Sequence, residues 1–189
     1  MKSDLNSPEY NKKLLKSVGN NVFISNHVEI KRPHLVSIGS NIAIDSGFYL
    51  TTAAEIGDYV HIGPNVTVIG GSKGLLKLGN FVNLTLGVKL ICGSDSFSGN
   101  GLVSAPGIPE KFLDELNFNP IIVEDFGAVC AGAIIMPGVT IAEGSVIGAN
   151  SLVTKSTEPW TIYAGSPAKP IRARPKEKML EYAKELGYK

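Results

Sequence analysis

The sequence predicts an all-β solenoid of about six triangular coils, followed by a C-terminal α-helix. Two observations predict it: aliphatic residues recur every six positions along most of the chain, and small residues usually follow them four positions later. A period of six fits neither a helix of 3.6 residues per turn nor a long strand of period two. It fits short strands joined by tight corners, of which three sides make an 18-residue coil. The aliphatic positions are Val18, Ile24, Ile30, Ile38, Ile44, Leu50, Ile56, Ile62, Val68, Leu78, Leu84, Leu90, Val123, Val129, Ile135, Ile141, Ile147 and Val153.

The pattern also divides the chain into three regions. Residues 1–17 form an N-terminal segment, in which Ser7 and Pro8 are expected to start a short helix that ends near Lys16. Residues 18–158 carry the repeats. Residues 159–189 form a tail in which Pro175 opens an amphipathic helix, expected to cap the last coil.

Three breaks interrupt the repeats: about two residues near Val36, four at 74–77, and a long one at 96–122. Because the repeats resume in register after each break, the inserted residues are expected to be extruded as loops. The segment 96–122 contains many Gly, Pro and polar residues. A loop of that length in a compact domain is usually functional or mobile.

The composition argues against several classes of partner. Lys and Arg (18) nearly balance Asp and Glu (17), so the overall charge does not indicate a nucleic acid or an anionic membrane. No apolar stretch approaches the length of a membrane span. Cys92 and Cys130 show no metal-binding spacing and fall inside apolar repeats, which indicates reduced, buried thiols. We therefore expect a cytoplasmic protein.

The segment from Ile135 to Pro175, "IMPGVTIAEGSVIGANSLVTKSTEPWTIYAGSPAKPIRARP", closely resembles the end of the hexapeptide-repeat acyltransferases. That left-handed β-helix family includes sugar O-acetyltransferases and nucleotide-sugar N-acetyltransferases. The resemblance implies a left-handed solenoid and a homotrimer with active sites between subunits. It also implies acetyl-CoA as co-substrate, lying between neighbouring solenoids.

The resemblance further indicates where the coenzyme would bind. Counting by 18 places Ala149 above Ala131, and side chains this small let a pantetheine arm approach the backbone. Small residues that merely fit the corners would explain the two alanines equally well. Lysine and arginine suit the coenzyme phosphates because they make charge-assisted hydrogen bonds. The positions that match coenzyme contacts of the family are Ala131, Ala149, Thr154, Lys155, Lys169 and Arg172.

Acetyl transfer to a hydroxyl needs a base and a group that holds the oxyanion. In the maltose- and galactoside-acetyltransferase branch a histidine before the long loop is the base, and its place here falls on Asp95. His61 ends a repeat on a coil edge, and Asn83 is expected to stack over it and bind the substrate. We therefore expect His61 of one subunit to act as base while Asp95 of its neighbour orients the imidazole or binds the sugar. A lone exposed histidine is more often a plain surface residue, and an Asp in this context is also a good turn former.

The function expected from these residues is acetyl-CoA-dependent O-acetylation of a sugar hydroxyl, in surface polysaccharide or lipopolysaccharide synthesis. The alternative is N-acetylation of a nucleotide-linked amino sugar. The roughly 17 residues before the first coil leave no room for a nucleotide-binding domain, which favours the hydroxyl. A zinc hydratase resembling γ-carbonic anhydrases would need three histidines, and only His61 is suitably placed, so we expect no metal. A non-catalytic scaffold would show no thermal shift with coenzyme A.

Overall fold

A computed structural model of the chain describes residues 8–188. Within this range almost all regular structure is short β-strand, and the single α-helix, α1, spans Glu177–Glu185. Short 3-10 turns lie at Lys12–Leu14, Pro33–Leu35, Gly71–Lys73 and Glu110–Phe112. The strands are β1 (Ser17–Val18), β2 (Val22–Ile24), β3 (Glu29–Ile30), β4 (Val36–Ile38), β5 (Ile42–Ile44), β6 (Tyr49–Leu50), β7 (Ala53–Ile56), β8 (His61–Ile62), β9 (Thr67–Ile69), β10 (Leu75–Leu78), β11 (Asn83–Leu84), β12 (Lys89–Ile91), β13 (Gly93–Asp95), β14 (Leu116–Phe118), β15 (Ile121–Val123), β16 (Ala128–Val129), β17 (Ile134–Ile135), β18 (Thr140–Ile141), β19 (Val146–Ile147), β20 (Leu152–Val153), β21 (Thr161–Gly165) and β22 (Ala168–Ala173).

The strands form three long sheets, and the chain visits them in turn. Sheet 1 has the order β1-β4-β7-β10-β15-β18, sheet 2 the order β2-β5-β8-β11-β16-β19-β21-β22, and sheet 3 the order β3-β6-β9-β12-β17-β20. All neighbours in these sheets are parallel except β21 and β22, which are antiparallel. Six complete coils result, and β21 starts a seventh. The predicted solenoid is therefore confirmed.

The core is the column of aliphatic residues that the repeat predicts. Every one of the predicted aliphatic positions is buried except Val18, which is 38% exposed in the first strand of the first coil. Each fully buried Leu, Ile or Val stabilises the fold by roughly 1.5–3 kcal/mol. Because successive coils place these side chains directly over one another, each coil depends on its neighbours for burial.

An aromatic ladder marks the corner between sheets 1 and 2. Tyr59, Phe81, Phe126 and Trp160 all have positive φ values, from 52 to 61°. This left-handed conformation is strained for residues other than glycine. Contacts between the rings offset the strain: Tyr59 and Phe81 stack with centroids 4.7 Å apart, Phe81 and Phe126 stack at 5.0 Å, and Trp160 packs tilted against Phe126 at 5.7 Å.

Helix α1 does not cap the last coil but leads the chain back along this corner. After the helix, the ring of Tyr188 packs edge-on against Phe81, with centroids 5.1 Å apart. Asn80 Nδ2 donates a hydrogen bond to the Tyr188 hydroxyl at 2.6 Å. Before the helix, Arg174 donates to the carbonyl oxygen of Phe126 at 2.8 Å. The prediction that the helix caps the last coil is wrong, because the aromatic side chains against which the end of the chain packs lie on the side of the solenoid.

The three breaks in the repeat all fall at the corner between sheets 3 and 1. They contain the 3-10 turns Pro33–Leu35 and Gly71–Lys73 and, in the long insertion, the antiparallel hairpin of β13 and β14. The expected bounds of two breaks need correction. Residues 75–77 lie in β10 and pair in register with β7, so the second insertion precedes them, and residues 121–122 belong to β15. The expected N-terminal helix is reduced to the turn Lys12–Leu14, because Glu9 instead forms a β-bridge with Ser25. The expected start of that helix at Ser7 lies outside the described residues. No helix within residues 8–188 is long and apolar enough to cross a membrane.

Candidate functional site

A groove with a volume of about 1010 Å³ follows the corner where the three insertions stack. Its floor is the outer face of sheet 3, and its walls come from the insertions. We call it the corner groove. It is lined by Lys31 and Arg32 at the first insertion, by Gly70, Gly71, Ser72 and Lys73 at the second, and by Ser94, Asp95, Ser104, Leu116 and Phe118 of the third, with Tyr49, Thr51, Ile69, Ile91 and Gly93.

The second insertion is held to the floor of the groove by Thr51. The backbone N–H groups of Gly70 and Gly71 both donate to Thr51 Oγ1, each at 3.2 Å. Gly70 has φ 152°, and a Cβ atom there would lie 2.9 Å from the carbonyl carbon of Cys92. Only glycine fits this close approach. The turn that follows displays Lys73 on the wall of the groove.

The groove combines cationic groups with aromatic rings. Arg32 Nη1 donates to the carbonyl oxygen of Thr51 at 2.6 Å. Lys73 Nζ lies 5.6 Å from the ring centroid of Phe118, and Lys31 Nζ lies 5.9 Å from that of Tyr49. A hydrogen bond to Glu29 raises the pKa of Lys31, so this amine stays charged. The arrangement suits an anionic ligand that also presents an aromatic or apolar surface.

Asp95 is the acidic group of the corner groove and lies at the end of β13. Its carboxylate accepts two hydrogen bonds from one residue of the extruded loop: Ser104 N–H donates to Oδ1 at 2.9 Å and Ser104 Oγ donates to Oδ2 at 3.1 Å. The carboxylate is thereby fixed in direction, yet Asp95 is only partly buried. It can therefore contact a ligand in the groove.

His61 lies elsewhere, on the outer face of sheet 2. Its side chain is 50% exposed, and its Nε2 atom lies 3.0 Å from Oδ2 of Asp45 in the same chain. The imidazole thus has a carboxylate partner without Asp95 of a neighbour. Asn83 pairs in register with His61, as expected, and its Oδ1 is buried with no hydrogen-bond partner among residues 8–188. Neither His61 nor Asn83 lines the corner groove.

The six positions expected to contact coenzyme lie on the last coils and the terminal hairpin. The N–H of Asn150 donates to the carbonyl oxygen of Ala131 at 2.8 Å, which stacks Ala149 and Ala131 on successive coils. Thr154 and Lys155 follow β20 and are exposed, as are Lys169 and Arg172 on β22. The structure therefore brings these residues to one end of the solenoid, outside the corner groove.

Within residues 8–188, no three His, Cys, Asp or Glu side chains are grouped so that they could hold a metal ion. Cys92 is fully buried, and burial raises the pKa of its thiol to about 11. That thiol is therefore neutral at physiological pH and cannot serve as a nucleophile.

Five residues of these sites were not expected from the sequence: Lys31, Arg32, Lys73, Ser104 and Asp45. A signal for the first three was present: every break follows the third side of a coil, so the three insertions had to stack at one corner. Ser104 carried none, because its contact with Asp95 depends on how a loop without a repeat folds back. Asp45 carried no such signal, because its contact with His61 depends on side-chain directions across neighbouring coils.

Several known proteins are similar to this chain, although no family model matches it. The dTDP-4-amino-4,6-dideoxy-D-glucose acyltransferase of Escherichia coli is 34% identical over 170 residues, which cover 88% of this chain and 85% of that protein. The chloramphenicol acetyltransferase of Agrobacterium fabrum is 33% identical over 108 residues, which cover 52% of each protein.

Crystal structures of AntD, an N-acyltransferase from Bacillus cereus, match almost the whole chain. A serine-to-cysteine variant in complex with dTDP-4-amino-4,6-dideoxyglucose and coenzyme A has a TM-score of 0.87 and 32% identity, covering 96% of this chain and 97% of AntD. AntD in complex with dTDP and 3-hydroxybutyryl-CoA also gives a TM-score of 0.87 at 32% identity, covering 95% and 96% of the two chains.

Proposed function

This chain belongs to the hexapeptide-repeat acyltransferases of the left-handed β-helix class, and we propose that it is an N-acyltransferase of a nucleotide-linked amino sugar. The acyl donor is an acyl-coenzyme A, and the acceptor is the 4-amino group of a dTDP-linked 4-amino-4,6-dideoxy sugar. The support is the full-length similarity to two acyltransferases of that substrate class. These relatives support the amine alternative better than the sugar hydroxyl that the sequence led us to expect.

The observation that carries the proposal is the corner groove, which provides room for a nucleotide sugar without a separate domain. Its volume of about 1010 Å³ is at the upper end of ordinary ligand sites, which run from about 300 to 1,000 Å³. The short N-terminal segment therefore does not favour the hydroxyl acceptor, because three insertions into the solenoid create space for a nucleotide.

We assign the charged groups of the groove by their chemistry. A pyrophosphate carries negative charge and accepts hydrogen bonds, so Arg32 and Lys73 would bind it. The base or the deoxy sugar presents a flat or apolar surface, which suits Tyr49 and Phe118. Asp95 is left for the amino group, because its carboxylate can accept a hydrogen bond from the neutral amine and then the one proton that the nitrogen loses after it attacks.

The reaction then needs few groups from the protein. The nitrogen lone pair attacks the thioester carbonyl carbon, a C–N bond forms, and the carbonyl oxygen takes the negative charge. Asp95 accepts the proton that the nitrogen must lose. The oxyanion collapses, the C–S bond breaks, and the proton passes to the thiolate, which leaves as free coenzyme A. An amine is a better nucleophile than a hydroxyl, so His61 is not required as a strong base.

For the coenzyme and the assembly, the proposal keeps the expected residues and the homotrimer. Ala131 and Ala149 would border the pantetheine arm, and Lys169 and Arg172 would meet the phosphates. His61 and Asn83 lie on sheet 2, whereas the corner groove lies on sheet 3. Within one solenoid, therefore, these two residues cannot reach a ligand in the groove. Threefold packing would bring sheet 2 of one copy against sheet 3 of the next.

A thiol-release assay tests the function. Purified protein would be mixed with acetyl-CoA or 3-hydroxybutyryl-CoA and one acceptor: dTDP-4-amino-4,6-dideoxyglucose, the same amino sugar without the nucleotide, the dTDP sugar with a hydroxyl at C4, or chloramphenicol. We expect turnover with the nucleotide amino sugar and at least about 100-fold less kcat/KM with the others. Equal or faster turnover of the hydroxyl acceptors would overturn the proposal.

Two variants with matched controls test the site. Asp95→Asn removes the proton acceptor and should lower kcat by about 100-fold or more, whereas Glu55→Gln removes an acid on sheet 1 and should not. Lys73→Ala removes a charge-assisted hydrogen bond and should raise KM for the nucleotide sugar by about 10-fold or more. Lys77→Ala removes a lysine that pairs with Glu55 instead and should leave KM unchanged.

A further inference from the structure

The extruded loop is an ordered element with its own internal support. Its centre is Asp114, which is 6% exposed. Ser98 Oγ donates to Asp114 Oδ1 at 2.6 Å and the N–H of Gly99 donates to Oδ2 at 3.2 Å. Leu102 N–H donates to the carbonyl oxygen of Phe112 at 2.8 Å, which ties the two limbs together. The loop therefore holds its residues at defined positions.

Ser104 is the point at which this loop meets the acidic group of the corner groove. It contacts both carboxylate oxygens of Asp95, one through its N–H and one through its hydroxyl. Both residues line the groove. They are nine positions apart in sequence, so the contact closes the loop back onto the end of β13.

The geometry leaves Asp95 able to react. An ionised carboxylate has about four acceptor sites, and Ser104 uses two of them. The remaining sites can accept a proton or a hydrogen bond from a ligand. With both oxygens held, the carboxylate cannot rotate about its last bond, so these free sites have a fixed direction.

We infer that Ser104 is a positioning residue, which aims the Asp95 carboxylate at the acceptor amine, and that this is a role of the extruded loop. The inference rests on the proposed function, because it requires Asp95 to accept the amine proton. Small errors in the placement of a reacting group have large effects on rate: a displacement of about 1 Å can cost roughly 100-fold. Ser104 therefore affects catalysis through the orientation of the Asp95 carboxylate.

The test compares steady-state kinetics of Ser104→Ala, Ser104→Thr and Ser37→Ala with the nucleotide amino sugar and acyl-CoA. Ser104→Ala keeps the N–H donor and loses the hydroxyl, so kcat should fall by about 10-fold while KM for acyl-CoA stays unchanged. Ser104→Thr retains a hydroxyl and should recover most of the rate. Ser37 lies on sheet 1, and its variant should match the unmodified protein.

Proteolysis and a double variant distinguish the positioning role of Ser104 from a purely structural role in the loop. Ser98→Ala removes the donor to Asp114 and should make the loop easier to cleave, whereas Ser104→Ala should not. In an Asp95→Asn background, Ser104→Ala should have no further effect on kcat, because the group that it positions is gone. The inference would be overturned if the loop of Ser104→Ala were cleaved as fast as that of Ser98→Ala. It would also be overturned if the effects of Ser104→Ala and Asp95→Asn on kcat were additive.

The outcomes also separate this inference from the function itself. If Asp95→Asn keeps full activity, the assignment of Asp95 in the proposed function is wrong. If Asp95→Asn is inactive while Ser104→Ala is unchanged, the function stands and only the positioning role is refuted.

Discussion

Replacement of Phe81 by alanine tests whether the aromatic ladder stabilises the corner that anchors the C-terminal tail. Phe81 is central: its ring contacts Tyr59 and Phe126 by stacking and Tyr188 by its edge. Tyr188 follows helix α1, so the ladder holds the end of the chain against the solenoid. The variant should therefore lower stability and loosen the end of the chain that carries Tyr188.

The magnitude follows from the three ring contacts. Their centroid separations are 4.7, 5.0 and 5.1 Å, and an aromatic pair at such distances contributes about 0.5–1.5 kcal/mol beyond its buried area. The three pairs thus contribute roughly 1.5–4.5 kcal/mol. The two stacked pairs are nearly parallel, a less favourable geometry than edge-to-face unless the rings are offset, so we expect loss of the ring contacts alone to cost about 2–3 kcal/mol.

Thermal unfolding followed by tryptophan fluorescence or calorimetry provides the assay. A loss of this size should lower Tm by about 5 to 10 °C in a chain of this length. The matched control is Phe97→Ala: Phe97 also has a positive φ, of 52°, but is 70% exposed. Because both variants keep a non-glycine residue in the left-handed region, their difference isolates the ring contacts. Equal Tm values for the two variants would refute the reasoning.

Three further outcomes are expected. Asp114→Asn should increase proteolysis of the extruded loop near neutral pH. The hydrogen bond from Ser98 lowers the pKa of Asp114 to about 2 from 3.8. The stabilisation of the loop by Asp114 is therefore complete above pH 3.8 and is lost as pH falls through about 2, and cleavage by an acid protease across that range can follow the loss. Gly79→Ala should lower Tm, because its Cβ would lie 2.7 Å from the backbone nitrogen of Asp125, a close contact that costs about 1–3 kcal/mol. His61→Ala should keep kcat within about 5-fold in the thiol-release assay, whereas removing a general base costs about 100-fold or more. A loss of about 100-fold would indicate that His61 is the general base and that the acceptor is a sugar hydroxyl.

The repeat made the fold predictable because it is a local pattern with one compatible geometry. A residue such as Leu84 had to point inward, since every sixth position is aliphatic and three short sides close a coil. The same count placed Asn83 beside His61 across an insertion of four residues, and the observed register agrees. The C-terminal helix was also predictable, but its docking was not, because the ladder formed by residues such as Phe81 exists only after distant coils have stacked.

The candidate site was predictable only in part. Asp95 was recognised because its place in a family motif could be aligned, yet its partner Ser104 was not, since that contact depends on how a loop without a repeat folds back. His61 was assigned a neighbour's Asp95 as partner, but side-chain directions within the chain give it Asp45.

The sequence by itself therefore determined the three-sided coil, its core and the positions of its breaks, because these follow from periodicity and burial. Only the tertiary structure decided that Arg32, Lys73 and Asp95 line a groove at the corner where the breaks stack, and which side chain orients which carboxylate. Periodicity constrains the inward-facing residues of a solenoid. The chemistry lies on outward-facing residues and insertions, whose contacts are set by the packing of whole coils.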